Sequence, residues 1–109
     1  MSAKQELAKA GLGFCDEIEK LMSEDKTDDA LVPATNLVSR LEALGQADSD
    51  PKSWRGYMRF GEMLFQSVFD GNLYCVVLGL WLIRLLLAEE LQDDSLLQAL
   101  LKSLPQLPS

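Results

Sequence analysis

The segment "NLYCVVLGLWLIRLLLAEEL", residues 72 to 91, is the most informative stretch of this 109-residue chain. Asn72 is a residue type that favours a helix N-cap, and the only charged residues after it are Arg84, Glu89 and Glu90. The pattern predicts a helix over 73–91 that is apolar on every side. A helix of this kind is buried all round in a folded protein. What covers it therefore determines the architecture.

Three environments would accommodate this helix: lipid, the centre of a small helical domain, or a helix of a second protein. A membrane span needs about 20 apolar residues, whereas the uninterrupted run over 73–83 has 11. Arg84 would then lie near mid-membrane, at a cost of roughly 2.5 to 3.5 kcal/mol. We therefore expect no membrane span and a protein environment for this segment.

The rest of the chain is dominated by helical periodicity, without a long alternation of apolar and polar residues that would indicate a strand. Ser2 and Gln5 have the spacing of a capping box, and Pro33 suits the first turn of a helix. Gly45 is predicted to end that helix in a left-handed conformation, and Asp50 followed by Pro51 suits the start of the next one. The predicted helices are 3–23, 33–44, 51–70, 73–91 and 95–104, which together indicate a single all-α domain over 1–109, a bundle of four to five helices.

The final third of the chain contains more leucine than one small core readily buries. Of the 35 residues from 73 to 107, 14 are leucine. We therefore expect part of this surface to close against a second chain, most simply as a homodimer through the leucine-rich C-terminal helices. The predicted interface with a partner or second copy consists of Leu80, Trp81, Arg84, Leu87, Leu91, Leu97, Leu100 and Leu101.

Arg84 emerges from an apolar side of the predicted helix, because residues placed 100° apart put Leu80, Leu87 and Leu91 on the same side. A buried arginine needs a carboxylate partner from another helix or another subunit. The alternative is that its stem lies along the surface and its guanidinium reaches water. On the opposite side, Gly79 forms a notch where a helix would approach closely.

Composition excludes several classes of function. The formal charge is -7, with 17 acidic and 10 basic residues, and phosphate binding requires a basic surface, so no nucleic-acid partner is expected. Cys15 and Cys75 each lie among apolar residues and are expected to be reduced and buried. The beginning of the sequence has no apolar core of a secretory signal, so a cytoplasmic protein is expected.

No catalytic or cofactor-binding pattern is present in the sequence. The chain contains no histidine, which removes the usual general base and the commonest metal ligand. "GLGF" at residues 11 to 14 follows a helical pattern and lacks the third glycine of a dinucleotide-binding turn. Acidic residues such as Asp16 and Glu19 match no calcium-loop spacing and are expected on a solvated helix face. We therefore expect no enzyme activity, no metal and no cofactor.

One cationic patch lies in "KSWRGYMRF", residues 52 to 60. Three- and four-residue spacings place its basic residues on one side of the third helix, and we call Lys52, Arg55 and Arg59 the cationic stripe. It would dock an acidic partner, with Trp54, Tyr57 and Phe60 as aromatic anchors. The alternative is internal pairing with the acidic first helix and core packing of the aromatic rings.

The sequence therefore favours a small, non-enzymatic protein that binds and sequesters a partner protein. In size, acidity, helix order and the segment "LGLWLIRLLLAEEL", the chain resembles small all-helical bacterial anti-activators of LuxR-type quorum-sensing regulators. That resemblance implies a transcription factor as the partner and carries no residue-level role. A similar likeness extends to type III secretion chaperones and toxin-immunity proteins. The alternative from another class is a carrier of a lipid-like ligand, with Arg84 pairing an anionic head group.

Overall fold

Five helices make up the regular structure of this chain. The computed structural model describes residues 1–47 and 50–105, with Ser53 described through its backbone, and no strand occurs among these residues. The helices are α1 (Ala3–Ser23), α2 (Thr27–Ala47), α3 (Pro51–Phe69), α4 (Leu73–Leu91) and α5 (Asp94–Lys102). The predicted all-α class is therefore confirmed.

Side chains at four helix starts satisfy backbone N–H groups that have no partner inside the helix. The backbone N–H of Gln5 donates to Ser2 Oγ at 3.1 Å, and Gln5 Oε1 accepts from the Ser2 N–H at 3.1 Å, which completes the predicted capping box. At the other three helix starts, the side-chain oxygens of Asp50, Asn72 and Asp93 accept hydrogen bonds from backbone N–H groups of the first turn. These local patterns explain why four of the five starts lie at or within one residue of the predicted positions.

The second helix begins six residues earlier than predicted, at Thr27 instead of 33. Pro33 lies inside it and is buried, so its expected place in the first turn is wrong. The connector shortens to residues 24–26 because Asp25 adopts a left-handed conformation with φ of 60° and the Lys26 N–H donates to the Leu21 carbonyl at 2.8 Å. The added turns bury Ala30, and Pro33 removes one hydrogen bond from the interior of the longer helix.

Gly45 does not end the second helix, which continues to Ala47. Its role is a close approach between helices, since a Cβ atom at this position would lie 2.8 Å from Trp54 Cδ1 and 3.3 Å from Trp54 Cα. The glycine therefore lets the start of α3 pack on the end of α2. The loop predicted at 45–51 falls partly on Asp48 and Ser49, which lie outside the described residues.

The later helix ends differ slightly from prediction. The third helix ends at Phe69 and is followed by Gly71 with φ of 68°, while α5 runs over Asp94–Lys102 and leaves Leu104 beyond its end. Gln92, with φ of 55°, turns the chain between α4 and α5. Short turns of this kind connect antiparallel neighbours in a bundle.

The first four helices form a ring around one core. Consecutive helices pack on each other, α4 also packs on α1, and α5 packs mainly on α4. The fully buried large side chains of the core are Ile18, Leu37, Leu41, Leu44, Leu64, Val68, Val76, Leu80, Ile83, Leu87 and Cys15. The notch at Gly79 is used within the chain, because a Cβ atom there would lie 3.5 Å from Leu64 Cδ1 of α3.

Candidate functional site

One side of α4 belongs to the core of the single chain. Val76, Leu80, Ile83 and Leu87 are each 0% exposed. Their spacing of four, three and four residues places them on one helical face. The prediction that Leu80 and Leu87 belong to an interface is therefore wrong, because both are already covered by the chain's own helices.

Arg84 finds its carboxylate partners in the same chain, on α1. Its Nη2 donates to Asp16 Oδ1 at 2.8 Å, and its Nη1 donates to Glu19 Oε1 at 3.2 Å. Burial disfavours the charged guanidinium, but the hydrogen bonds with Glu19 and Asp16 outweigh it and raise the pKa of Arg84 above its usual value. The predicted pairing is thus met within the chain, and Asp16 and Glu19 are ion-pair partners as well as solvated residues.

We predict that removing the carboxylates of this ion-pair cluster lowers the free energy of unfolding more than removing Arg84 does. The Arg84 side chain is 16% exposed, whereas Asp16 and Glu19 are 78% and 51% exposed. The double variant Asp16→Asn/Glu19→Gln leaves a half-buried cation unpaired and is expected to lower the free energy of unfolding by about 1 to 2 kcal/mol.

The matched variant Arg84→Met returns two exposed carboxylates to water and keeps the aliphatic packing, so its cost is expected to be smaller. Urea unfolding followed by circular dichroism measures both changes. A larger loss for Arg84→Met than for the double variant would contradict the prediction.

The fifth helix is held on α4 without a residue of its own in the core. The Trp81 indole N–H donates to the Leu100 carbonyl at 2.8 Å, which joins the two helices. No residue of α5 is fully buried. Leu97 and Leu100 are half-buried, whereas Leu101 is 47% exposed. Apolar surface therefore remains available along α5.

We define the α5 edge as Leu97, Leu101 and Leu104. Leu104, 63% exposed, was absent from the predicted interface set, although its position in the leucine series was the available signal. Of that set, Trp81, Leu91, Leu97 and Leu100 are half-buried and Leu101 is exposed. The residues of the predicted interface therefore fall into three groups: core residues, Arg84 in its ion-pair cluster, and a partly exposed surface.

The cationic stripe lies on the exposed side of α3. Within residues 1–47 and 50–105, no carboxylate lies within 4.0 Å of the charged groups of Lys52, Arg55 or Arg59, and none of the three pairs with α1. The predicted internal pairing with the first helix is therefore wrong, because α1 and α3 occupy non-adjacent positions in the ring.

The aromatic residues near the stripe are mostly engaged inside the chain. Tyr57 is buried and donates from its hydroxyl to Glu90 Oε2 at 3.0 Å. Phe60 is half-buried against the core, and Trp54 packs on Gly45 while remaining 42% exposed. The role of Tyr57 as an anchor for a partner is therefore wrong.

A polar cleft near the cationic stripe does not assemble a reactive group. It has a volume of about 530 Å³ and is lined by side chains that include Lys52, Tyr57, Glu89 and Glu90. Glu90 accepts from Tyr57 and also lies 3.6 Å from Lys4 Nζ. In the part of the chain that the structure describes, no group of three histidine, cysteine or acidic side chains is arranged to hold a metal ion.

The two cysteines lie in different environments. Cys15 is 0% exposed, as expected, whereas Cys75 is exposed and its predicted burial is wrong. Cys75 follows the N-cap of α4 by three residues and lines a groove between α3 and α4, outside the face that enters the core. An apolar sequence context therefore does not imply burial on a helix that is apolar on every side.

Across residues 1–47 and 50–105, none of the helices has both the length and the apolarity that crossing a bilayer would require. Comparisons of the chain with models of known protein families, with curated proteins and with solved structures gave no match.

Proposed function

We propose that this chain is a cytosolic, non-enzymatic protein-interaction module that binds a partner protein through the α5 edge. The observation that carries the proposal is the incomplete burial of α5. This amphipathic helix rests mainly on α4, contributes no fully buried residue, and leaves Leu101 and Leu104 47% and 63% exposed. Apolar side chains presented in this way by a short helix favour an apolar groove on another protein.

The chemistry of the chain supports binding more than catalysis. It has no histidine, and its buried thiol at Cys15 has a pKa raised to about 12 by desolvation, which is the opposite of nucleophile activation. The alternative of a lipid-like ligand carrier required Arg84 to pair an anionic head group. The engagement of Arg84 with Asp16 and Glu19 argues against that role.

The proposed mechanism is sequestration. The partner's apolar groove would take up Leu101, Leu104 and the adjoining part of Leu97, and this would block the groove's normal occupant. A transcriptional regulator held by an anti-activator is the form of this proposal that the sequence resemblance favours. A secretion chaperone and a toxin-immunity protein are further forms of the same mechanism, distinguished by the identity of the partner.

The test is site-specific photo-crosslinking in the cells that produce the protein. A photoreactive group at position 101 should capture one defined partner, whereas the same group at Val32, an exposed apolar residue of α2, should not capture it. With the purified partner, Leu101→Glu should weaken binding about tenfold or more, because apolar burial is lost and a carboxylate is desolvated. Equal capture from both positions, or unchanged affinity for Leu101→Glu, would reject the α5 edge.

A further inference from the structure

The outer side of α3 separates its charges along the helix. Lys52, Arg55 and Arg59 lie in the first half, while Glu62 and Asp70 lie towards the end. All five side chains are exposed and share one side of the helix, at spacings of three, four, three and eight residues, with Asp70 at the C-cap. The chain has no lysine or arginine between Arg59 and Arg84, so all charged residues in the second half of this side are acidic.

An apolar patch lies at the centre of this charge-separated side. Met63, which follows Glu62 near the middle of this side, is 62% exposed. Beside it, a groove of about 120 Å³ between α3 and α4 is lined by apolar side chains that include Phe60, Leu78 and Leu82. The surface therefore has a cationic end, a centre where Met63 and the apolar groove adjoin Glu62, and an acidic end at Asp70.

We propose that a second copy of this chain binds here, with the two α3 helices antiparallel about a two-fold axis near Met63. A two-fold interface must be complementary to itself, because the same patch faces its own copy in reverse. Reversing α3 places the cationic end of each copy beside the end of the other copy that carries Asp70. Arg55 and Asp70 meet the requirement of self-complementarity, because they lie at equal distances on either side of the axis.

The register of the pairing follows from the helix geometry. For an axis between residues 62 and 63, Arg55 and Asp70 each lie about 11 Å from the axis at the rise of an α-helix. Arg55 of one copy is then opposite Asp70 of the other, and Arg59 is opposite Gln66. Met63 and Glu62 each lie within about 1 Å of the axis along the helix, so each faces its own counterpart. Two symmetric Arg55–Asp70 pairs therefore flank a shared methionine contact, and they must outweigh the repulsion between the two exposed Glu62 carboxylates.

A second copy fits this surface better than an unrelated charged partner. An acidic partner would match Arg55 but meet repulsion at Asp70, and a basic partner would show the reverse. The net charge of -7 repels two copies at a distance, but physiological salt screens that repulsion over about 8 Å while close pairs persist. The homodimer thus forms through α3 instead of through the C-terminal helices, and the α5 edge stays free for a different protein.

The first experiment is a charge swap in the full chain, measured by sedimentation equilibrium. Arg55→Glu and Asp70→Arg should each raise the dimer dissociation constant about tenfold, because each replaces two attractive pairs with two repulsive ones. The double variant Arg55→Glu/Asp70→Arg should restore the wild-type constant. Glu17→Arg, which makes the same change in net charge as Asp70→Arg but on the exposed side of α1, should leave it unchanged.

A second experiment tests directly whether residue 63 of one copy lies next to residue 63 of the other. In a Cys75→Ser background, Met63→Cys should form a disulfide-linked dimer on mild oxidation, whereas Val32→Cys in the same background should form no disulfide between copies. Leu101→Glu should retain the dimer while losing the proposed partner, which separates a failure of this inference from a failure of the proposed function. A wild-type monomer at every concentration, a double variant without restoration, or loss of the dimer in Leu101→Glu would each overturn the inference.

Discussion

Leu87→Glu is expected to abolish cooperative folding of this protein. Leu87 is 0% exposed, and its Cδ1 would lie 3.0 Å from a Cβ atom on Gly11, so it sits where α1 and α4 approach closely. The substitution loses a buried leucine and places an unpaired carboxylate in the core. A cost of at least about 5 kcal/mol is comparable with the whole stability of a small domain.

Circular dichroism during heating measures this effect. Leu87→Glu should lack a cooperative transition, whereas the matched variant Leu101→Glu should unfold within a few degrees of the wild type. Leu87→Met should retain the transition, because a swap of similar volume usually costs less than about 1.5 kcal/mol. A folded Leu87→Glu variant would mean that this residue faces outward, as the sequence predicted for an interface.

Alkaline pH is expected to destabilise the protein through Cys15. Burial raises the pKa of the Cys15 thiol from 9.0 to about 12, with a smaller opposing effect from Arg84. The unfolded chain therefore releases this proton first, so the stabilising contribution is complete below pH 9 and is lost as pH rises towards 12. The slope is about -1.4 kcal/mol of unfolding free energy per pH unit in that range, and the total about 4 kcal/mol.

The measurement is urea unfolding at pH 8, 9, 10 and 11, with variants that isolate the thiol. Cys15→Ala should remove most of the additional slope, whereas Cys75→Ala, at the exposed cysteine, should retain it. The difference between each variant and the wild type cancels the contributions of lysine and tyrosine residues. Equal slopes for the wild type and Cys15→Ala would show that the buried thiol titrates normally.

Local rules explain why much of the helix order was predictable. Ser2, Asp50, Asn72 and Asp93 are capping residues whose hydrogen bonds reach backbone groups two or three positions away. Such contacts do not depend on the rest of the fold. The wrong start of α2 arose where a tertiary gain, the burial of Ala30 and Pro33, exceeded the local cost of a proline inside a helix.

The candidate surfaces were less predictable because exposure depends on neighbours. The predicted surface residues of the third helix were its cations and aromatic residues and did not include Met63. Met63 is nevertheless 62% exposed at the centre of the outer side of α3. Gly45 had the local character of a helix stop, and its contact with Trp54 requires the packing of two helices. Conversely, the placement of Lys52, Arg55 and Arg59 on one side of α3 followed from their spacing alone, whereas their exposure did not.

The amino-acid sequence was enough to predict an all-helical chain and four of its helix starts, because these depend on nearby residues. It left open whether Arg84 pairs with carboxylates or reaches water. Only the tertiary structure assigned Leu80 and Leu87 to the core and Asp16 and Glu19 to Arg84. The reason lies in α4, where apolar residues occur all round the helix. Because this helix has no polar side, its sequence pattern does not indicate which face is buried. The packing of α1, α3 and α5 selects that face.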